Sequence, residues 1–470
     1  MSAALLIDFG STYTKLRAID LEGRKVLGTG QGPSTVLTDI NEGLNAALAD
    51  LERHCGGLPR FRYRLASSSA AGGLRMVTVG LVRELTAEAA RQAALGAGAK
   101  LVGSFAYRLN EADLEAIGRL APDIVLLAGG TDGGNREIVL HNAAALAGSS
   151  LACPIIYAGN RDALDEARVR LAGKTAVFAG NVMPELNQLD IEPARDAIRE
   201  VFIDRIVHAK GIDRAAAQFD RVLMPTPAAV LEGARLLADG LAGTPGLGPL
   251  LLVDPGGATT DVHSVADGEP APGVVRLGLP EPRVKRTVEG DLGMRHSAAA
   301  AAEAAGLEAL AADCGVKPAL CVRLLAELGA DPGRLPATAE EAALDRALAR
   351  AAIRIAVRRH CGSVETVYTP TGAVTVQRGK DLRGVRALIG TGGVLAASRR
   401  PRSILEAALA DPAAPHALLP ASPRLLLDAD YLLYACGLLQ SVDPQAALEL
   451  ALAHLRPLDE EKADEHAVNA

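Results

Sequence analysis

Two short segments combine an aspartate with small and hydroxyl-bearing residues in a pattern suited to holding phosphate. In the first, Asp8 is followed by Gly10, Ser11, Thr12, Thr14 and Lys15; in the second, Asp254 is followed by Gly256, Gly257, Ala258, Thr259 and Asp261. A magnesium-bound triphosphate needs backbone N–H groups aimed at its oxygens, side chains small enough to let the backbone approach, and carboxylates to hold the metal's water shell. Gly10, Ser11 and Thr12 offer a tight turn after Asp8, with Lys15 near enough to add a positive charge. Gly256, Gly257 and Ala258 do the same between Asp254 and Asp261. Either segment alone reads equally well as an ordinary hairpin turn.

Repetition separates the two readings. Residues 5–23 lie over 251–269 at one constant offset with no gap, pairing Leu5 with Leu251, Asp8 with Asp254, Gly10 with Gly256 and Thr14 with Thr260. Each copy reads as a buried strand, an aspartate, a turn of small residues and a returning strand that ends at 21–23 or 266–268. Two such tips facing each other would grip a triphosphate from both sides. A third segment, Gly390-Thr391-Gly392-Gly393-Val394, follows an apolar strand; its glycines let a flat base or ribose lie on bare backbone, and the helix start beyond favours anionic oxygens. A fourth, residues 224–233, carries Ala228, Ala229 and Gly233, and a fifth, 430–439, carries Ala435 and Gly437. Two small-residue surfaces of this kind permit a close helix crossing and would form a hinge.

The elements between these segments follow an α/β rhythm. Helices are expected at 43–54, 83–95, 162–171, 192–209, 227–239, 297–314 and 339–361, and strands at 63–66, 155–158, 176–179, 364–368 and 374–377. The apolar run 124–131 ends in glycines, as 387–393 does, so the two are matched as equivalent strands of the two halves. The Gly/Pro-rich stretch 240–249 reads as a linker. Hence the expected division is 1–245 for a first half, with an inserted α/β segment at about 150–210 and a connecting helix at 227–239, then 246–440 for a second half and 441–470 for a C-terminal helix with a frayed tail.

Composition narrows the partners. A chain of 470 residues exceeds one hydrophobic core. Aromatics make up only 3% with no Trp, and the net charge is −7, so neither a base-stacking surface nor a basic field for nucleic acid is expected. The six cysteines, Cys55, Cys153, Cys314, Cys321, Cys361 and Cys436, form no C-x-x-C pair and read as reduced thiols. No uncharged stretch reaches the ~18–20 residues of a membrane span, and the chain opens directly into a strand, so a cytoplasmic protein without a membrane partner is expected.

With these residues assembled, the chain resembles the actin, hexokinase and heat-shock-chaperone superfamily of ATPases. Asp8–Lys15, 224–233, Asp254–Asp261, Gly390–Val394 and 430–439 look like its phosphate-1, connect-1, phosphate-2, adenosine and connect-2 segments, in that order. The resemblance implies an α/β fold of two duplicated ribonuclease-H-like (actin-like ATPase) domains with a nucleotide cleft between them. It implies ATP and Mg²⁺ as cofactors, with Asp8 and Asp254 orienting Mg²⁺ through water and Asp8, Asp254 and Asp261 as the catalytic carboxylates. Two positions depart from the chaperone pattern: Pro255 lacks an N–H, and Ala258 stands where a glycine is usual, implying a looser or altered second grip.

Four further stretches are similar to the MutL/GlmL accessory proteins of adenosylcobalamin-dependent glutamate mutase and ornithine aminomutase, which share only a name with mismatch repair. They are Ala66–Met76, Leu126–Asn135, Ala179–Pro184 and Val288–Arg295. This resemblance implies an ATP-dependent reactivating partner of mutase subunits. Read from the residues alone, Gly129, Gly130, Asp132, Gly133 and Gly134 line a cleft or form a connector equally well. Glu289 and Asp291 precede an expected helix, with Asp291 as its N-cap, and His296 reads as a surface or capping residue. Gly173-Lys174-Thr175 lacks the leading glycine of a P-loop, since Arg168 occupies that position, and Gly28-x-Gly30-x-Gly32 before Pro33 reads as a loop. A small-molecule kinase using the same cleft and an actin-like scaffold are the alternative functions. A radical-dehydratase activator is set aside for want of cluster-binding cysteines.

Overall fold

Both matching segments fold as antiparallel hairpins in the computed structural model, which describes residues 2–10, 13–35, 38–69, 74–209, 219–370 and 372–458. Strand β1 (Ala3–Phe9) is buried along its whole length, which accounts for a continuous apolar run rather than an alternating one. It pairs antiparallel with β2 (Tyr13–Asp20), which pairs antiparallel with β3 (Lys25–Pro33). Helix α1 (Ile40–Cys55) starts at Asp39, whose carboxylate accepts from the Asn41 N–H, and ends at Gly56 in the left-handed region. Strand β4 (Phe61–Ser68) then returns parallel to β1.

An inserted parallel sheet follows, built of β5 (Arg75–Gly80), α2 (Glu88–Gly96), β6 (Lys100–Ala106), α3 (Glu111–Leu120), β7 (Ile124–Leu127), α4 (Glu137–Gly148), β8 (Ile155–Tyr157), α5 (Leu164–Arg170) and β9 (Ala176–Phe178). Its order is β6-β5-β7-β8-β9. Helix α6 (Glu192–Ala209) leads back to β10 (Arg221–Pro225), which lies parallel to β4. Next come α7 (Thr226–Asp239) and a two-residue ladder of β11 (Gly240–Leu241) with β12 (Thr244–Pro245) inside the expected linker.

The second half opens with β13 (Leu250–Pro255) and β14 (Thr260–Val265), continues through β15 (Val275–Arg276) and β16 (Val284–Glu289), and enters helices α8 (Ala298–Ala305), α9 (Leu307–Cys314), α10 (Pro318–Ala330) and α11 (Ala339–His360). A hairpin of β17 (Ser363–Thr369) and β18 (Gly372–Arg378) precedes β19 (Ala387–Gly390), α12 (Gly393–Ala397), α13 (Pro401–Leu405) and β20 (Arg424–Leu427). The chain closes with α14 (Leu433–Leu439), α15 (Pro444–His454) and β21 (Arg456–Pro457).

The two large sheets repeat one plan. The first is ordered β10-β4-β1-β2-β3 and the second β21-β20-β19-β13-β14-β16. In each, an antiparallel hairpin is flanked on its first strand by two parallel strands, β4 and β10 in one, β19 and β20 in the other. That arrangement is the ribonuclease-H-like α/β fold, present twice. The counterpart of β19 is therefore β4, and not the run 124–131: β7 belongs to the inserted sheet. The two apolar runs look alike in sequence because central parallel strands are buried on both faces whichever sheet they join. The insertion is also wider than 150–210, since its first strand begins at Arg75.

Three local expectations are corrected. Residues 28–32 are not a loop but lie in β3, where a Cβ at Gly30 or Gly32 would stand 2.3 Å from the Ala47 carbonyl oxygen or 2.4 Å from that of Gly43, so the glycines let α1 rest directly on the strand. The helix expected at 297–314 is broken at Gly306 (φ +82°). Asp291 caps no helix, because α8 begins only at Ala298.

Contacts divide the chain into two compact units, one of Met1–Gly233, Gly278–Lys285 and Leu433–Leu450, the other of Ala234–Leu277, Arg286–Leu432 and Ala451–Ala470. The first division thus falls inside α7, and not in the 240–249 linker. The expected frayed tail from Asp459 onward lies outside the described residues. Among the described residues, no helix is long and apolar enough to cross a membrane.

Candidate functional site

The duplicated hairpins agree in register as well as in topology. Asp8 stands opposite Lys15 and Phe9 opposite Thr14; Asp254 stands opposite Asp261 and Pro255 opposite Thr260. The turns close identically, with the Gly10 N–H donating to the Tyr13 carbonyl at 3.0 Å and the Gly256 N–H to the Thr259 carbonyl at 2.8 Å. Pro255 has no N–H to give, and this register leaves that role to Gly256. Ser11 and Thr12 lie outside the described residues. Thr14 pairs with Phe9, one position along from the Asp8–Lys15 pair, so it lies on the opposite face from them and is buried.

In the first unit Asp8 is only 3% exposed. Its Oδ1 accepts a 2.6 Å hydrogen bond from the Thr226 hydroxyl at the start of α7, and the Ser67 hydroxyl on β4 lies 3.2 Å from Thr226. Burial raises the Asp8 pKa above its ordinary value, against the lowering influences of Lys15, of the Thr226 hydrogen bond and of Arg17. A desolvated carboxylate with hydroxyls beside it gains from a hard cation. Among the described residues no three His, Cys, Asp or Glu side chains gather into a metal cage. Mg²⁺ suits such a donor set, because it keeps several waters and relies on one or two carboxylates plus phosphate oxygens. By charge and donor type, Asp8 and Asp254 fit the role.

In the second unit the Asp254 hairpin and the glycine-rich turn after β19 come together. Thr391 donates its N–H to the Val253 carbonyl at 3.0 Å, and Gly392 sits so close to Asp254 that a Cβ there would stand 2.4 Å from the carboxylate. Gly392 also has φ +95°, so it is required twice over. Gly390 is restricted by Leu395 at 2.9 Å, whereas Gly393 faces open space and Gly257 meets nothing nearer than 3.8 Å. These last two glycines are not demanded by packing. Helix α12 after Gly392 has only five residues, so its dipole is small.

Several contributing residues escaped the sequence reading. Asp261 is held by the buried Arg286 on β16, with Nε–Oδ1 at 2.7 Å, and accepts from the Thr259 hydroxyl at 3.2 Å. Arg286 was unmarked because an isolated arginine in a strand carries no motif. The Val288–Arg295 stretch and its continuation cradle the second loop: Met294 N–H donates to the Gly256 carbonyl at 2.9 Å, Arg295 N–H to the Gly257 carbonyl at 2.8 Å, and the Ser297 hydroxyl to the Ala258 carbonyl at 3.0 Å. A Cβ on Gly293 would press within 2.4 Å of the Ala258 backbone. Arg295 is fixed in turn by a two-pronged bond to Asp345 on α11 at 2.9 and 2.6 Å. Glu289 and Asp291 both bind Arg359, which holds the Asp291 carboxyl below its usual range. His296 is exposed. On β20's side, the Thr391 hydroxyl donates to Asp428 at 3.0 Å, a partner also missed.

The connecting segments meet as their small residues required. A Cβ on Gly437 of α14 would fall 1.8 Å from the Ala229 carbonyl oxygen, and one on Gly233 would fall 2.4 Å from that of Leu433. The loop Gly129–Asn135 stands at the carboxyl end of β7 in the inserted sheet, held by Asn181, which donates to the Gly130 carbonyl at 3.0 Å and to Asp132 at 2.9 Å.

The family model described as "MutL protein" matches residues 4–455. A curated protein named "Protein MutL" from Clostridium tetanomorphum is 47% identical over 463 residues, covering 97% of this chain and 99% of that one. Solved structures give weaker likenesses: a xylulose kinase from Lactobacillus acidophilus at 12% identity and TM-score 0.37, covering 97% of this chain and 93% of that chain, and a glycerol dehydratase reactivase at 11% and 0.34, covering 93% and 99%. A match running almost from end to end at nearly one residue in two leaves no ambiguity: this chain belongs to the MutL protein family.

Proposed function

We propose that this protein binds Mg²⁺-ATP through its two aspartate-tipped hairpins and hydrolyses it slowly, as an accessory protein that reactivates an adenosylcobalamin-dependent mutase. The observation that carries the nucleotide reading is the identical register of the two hairpins, with Asp8 and Asp254 at equivalent positions beside equivalent glycine turns. The mutase as partner rests on family membership and on the resemblance described above.

In this reading the turn closed by the Gly256 N–H offers Gly257, Ala258 and Thr259 to phosphate oxygens, and the turn closed by the Gly10 N–H brings the charge of Lys15 to them; Thr14, buried on the opposite face, supports the strand. Gly390, Thr391, Gly392 and Gly393 support the adenosine. Bound magnesium would neutralise charge on the phosphates, while Asp8, held by Thr226, and Asp254, held against Gly392, orient its waters. Asp261 is kept in place by Arg286. The small-residue contact of α7 with α14 then serves as a hinge that passes nucleotide state to the mutase.

The test is the rate of ADP release with and without the mutase subunits and cobalamin. The proposal expects a slow basal rate that rises severalfold with the mutase. An unchanged rate would remove the accessory role, and hydrolysis that depends instead on a small hydroxylated or carboxylated acceptor would mark a kinase.

A further inference from the structure

Strand β17 is the open edge of a three-stranded sheet ordered β15-β18-β17, and it pairs with β18 over seven residues without a bulge, Ser363 opposite Arg378 through Thr369 opposite Gly372. From Glu365 to Thr369 every residue is exposed, Val367 at 38% and Tyr368 at 84%. An exposed, flat edge rich in β-branched and aromatic residues is a template for another strand, and proteins normally blunt it with lysine, proline, a bulge or a cover.

Here both ends are blunted and the middle is not. At one end the Val364 N–H donates to the His416 carbonyl at 2.9 Å, and the Leu418 N–H to the Gly362 carbonyl at 2.9 Å. At the other, Pro370 has no N–H. Because N–H and C=O groups alternate sides along an antiparallel strand, the outward Val364 N–H means that Thr366 and Tyr368 also turn both backbone groups outward. Among the described residues no hydrogen bond reaches those groups.

This window admits one symmetric register in which every outward group is used. A second copy of the same strand, antiparallel and centred on Val367, would place Thr366 opposite the partner's Tyr368 and Tyr368 opposite the partner's Thr366. Both are hydrogen-bonded pairs, giving four N–H···O bonds about the two-fold axis. Val367 meets its own copy as the close, non-hydrogen-bonded pair, and Glu365 faces a threonine and not a like charge. The only charge in the window, Glu365, is already paired with Arg378 at 3.3 Å. Pairing stops at Val364, whose N–H is taken, and at Pro370, which has none to give.

We propose that this edge is a self-association surface on which two copies of the chain join β17 to β17, continuing the sheets of both. The inference goes beyond the nucleotide reading and does not depend on it. Five residues a side fall well short of the ~1,200 Å² of a standard stable interface, so the association is weak and concentration-dependent.

The test is disulfide trapping in the full chain. In the proposed register the Val367 Cα atoms stand about 4.5 Å apart, within disulfide reach, whereas the two copies of Glu365 are separated by roughly 13 Å along the strands. Val367→Cys should therefore form a covalent dimer under mild oxidation about tenfold more readily than Glu365→Cys, which also controls for the native cysteines. Adding Thr366→Pro removes one outward N–H at a position where an edge strand tolerates proline, so it should abolish trapping with little change in Tm. Equal trapping of the two cysteine variants, or trapping indifferent to Thr366→Pro, overturns the proposal. So does a chain that sediments as a monomer at every concentration while Thr366→Pro weakens only its response to the mutase, which would assign the edge to a different protein.

Discussion

Asp8 is a buried carboxylate whose pKa is raised chiefly by desolvation. The sign of its linkage is definite. A carboxyl with a raised native pKa favours folding only where it is protonated, and at neutral pH the full penalty of burying the charge is present. Asp8→Asn should therefore stabilise the nucleotide-free protein, by on the order of 1 kcal/mol or about 2–4 °C in Tm, while abolishing Mg²⁺-dependent hydrolysis. Thermal melts beside a hydrolysis assay check both; a destabilised Asn variant would mean the carboxylate is structural. His263 has the opposite habit. It is buried and neutral, with its pKa pushed down to about 3 by desolvation, its Nδ1 lacking a partner among the described residues. Its stabilising effect is complete above the unfolded value near 6.5 and is lost as pH falls from there toward 3, at about 1.4 kcal/mol per pH unit. Equilibrium unfolding from pH 7 to 4 should show this slope, and His263→Gln should flatten it. The two hairpins were legible because the same spacing of aspartate and glycine recurs at one offset with no gap. Arg286, Thr226 and Asp428 were not, since each reaches its partner only after distant segments of the chain have packed.

Elements explain which glycines serve the fold and which remain for a ligand. Gly392 must adopt φ +95° against Asp254, so Gly392→Ala should cost stability outright. Gly393 and Gly257 have room for a side chain. Gly257→Val and Gly393→Val should leave Tm within about 2 °C of the parent, a change of under ~1 kcal/mol, yet weaken ATP binding by about tenfold or more. Calorimetry decides: unchanged affinity in both would detach these loops from the nucleotide. Gly437→Ala forces a methyl onto the Ala229 carbonyl and should destabilise by about 1–3 kcal/mol through overpacking of α7 on α14. Small residues at helix spacing made that contact readable from sequence. The run 124–131 was misassigned because apolar strands ending in glycine look the same in any parallel sheet, and residues 28–32 were misread because a strand supporting a close helix uses glycines as a loop does.

At the scale of the whole molecule, the duplicated sheet order is the deepest regularity, and the repeat at 5–23 and 251–269 announced it. What the repeat did not announce is how the chain is shared between units, since Gly278–Lys285 and Leu433–Leu450 return to the first. That sharing depends on packing and leaves no local motif. If both hairpins act on one nucleotide, Mg²⁺-ATP binding and single-turnover hydrolysis should separate in Asp8→Asn and, independently, in Asp254→Asn. One ATP per chain should bind, with little loss of affinity in either variant, and hydrolysis should fall by about 100-fold or more in each alone. Two nucleotides per chain, or one variant that hydrolyses at the parent rate, would contradict a shared nucleotide.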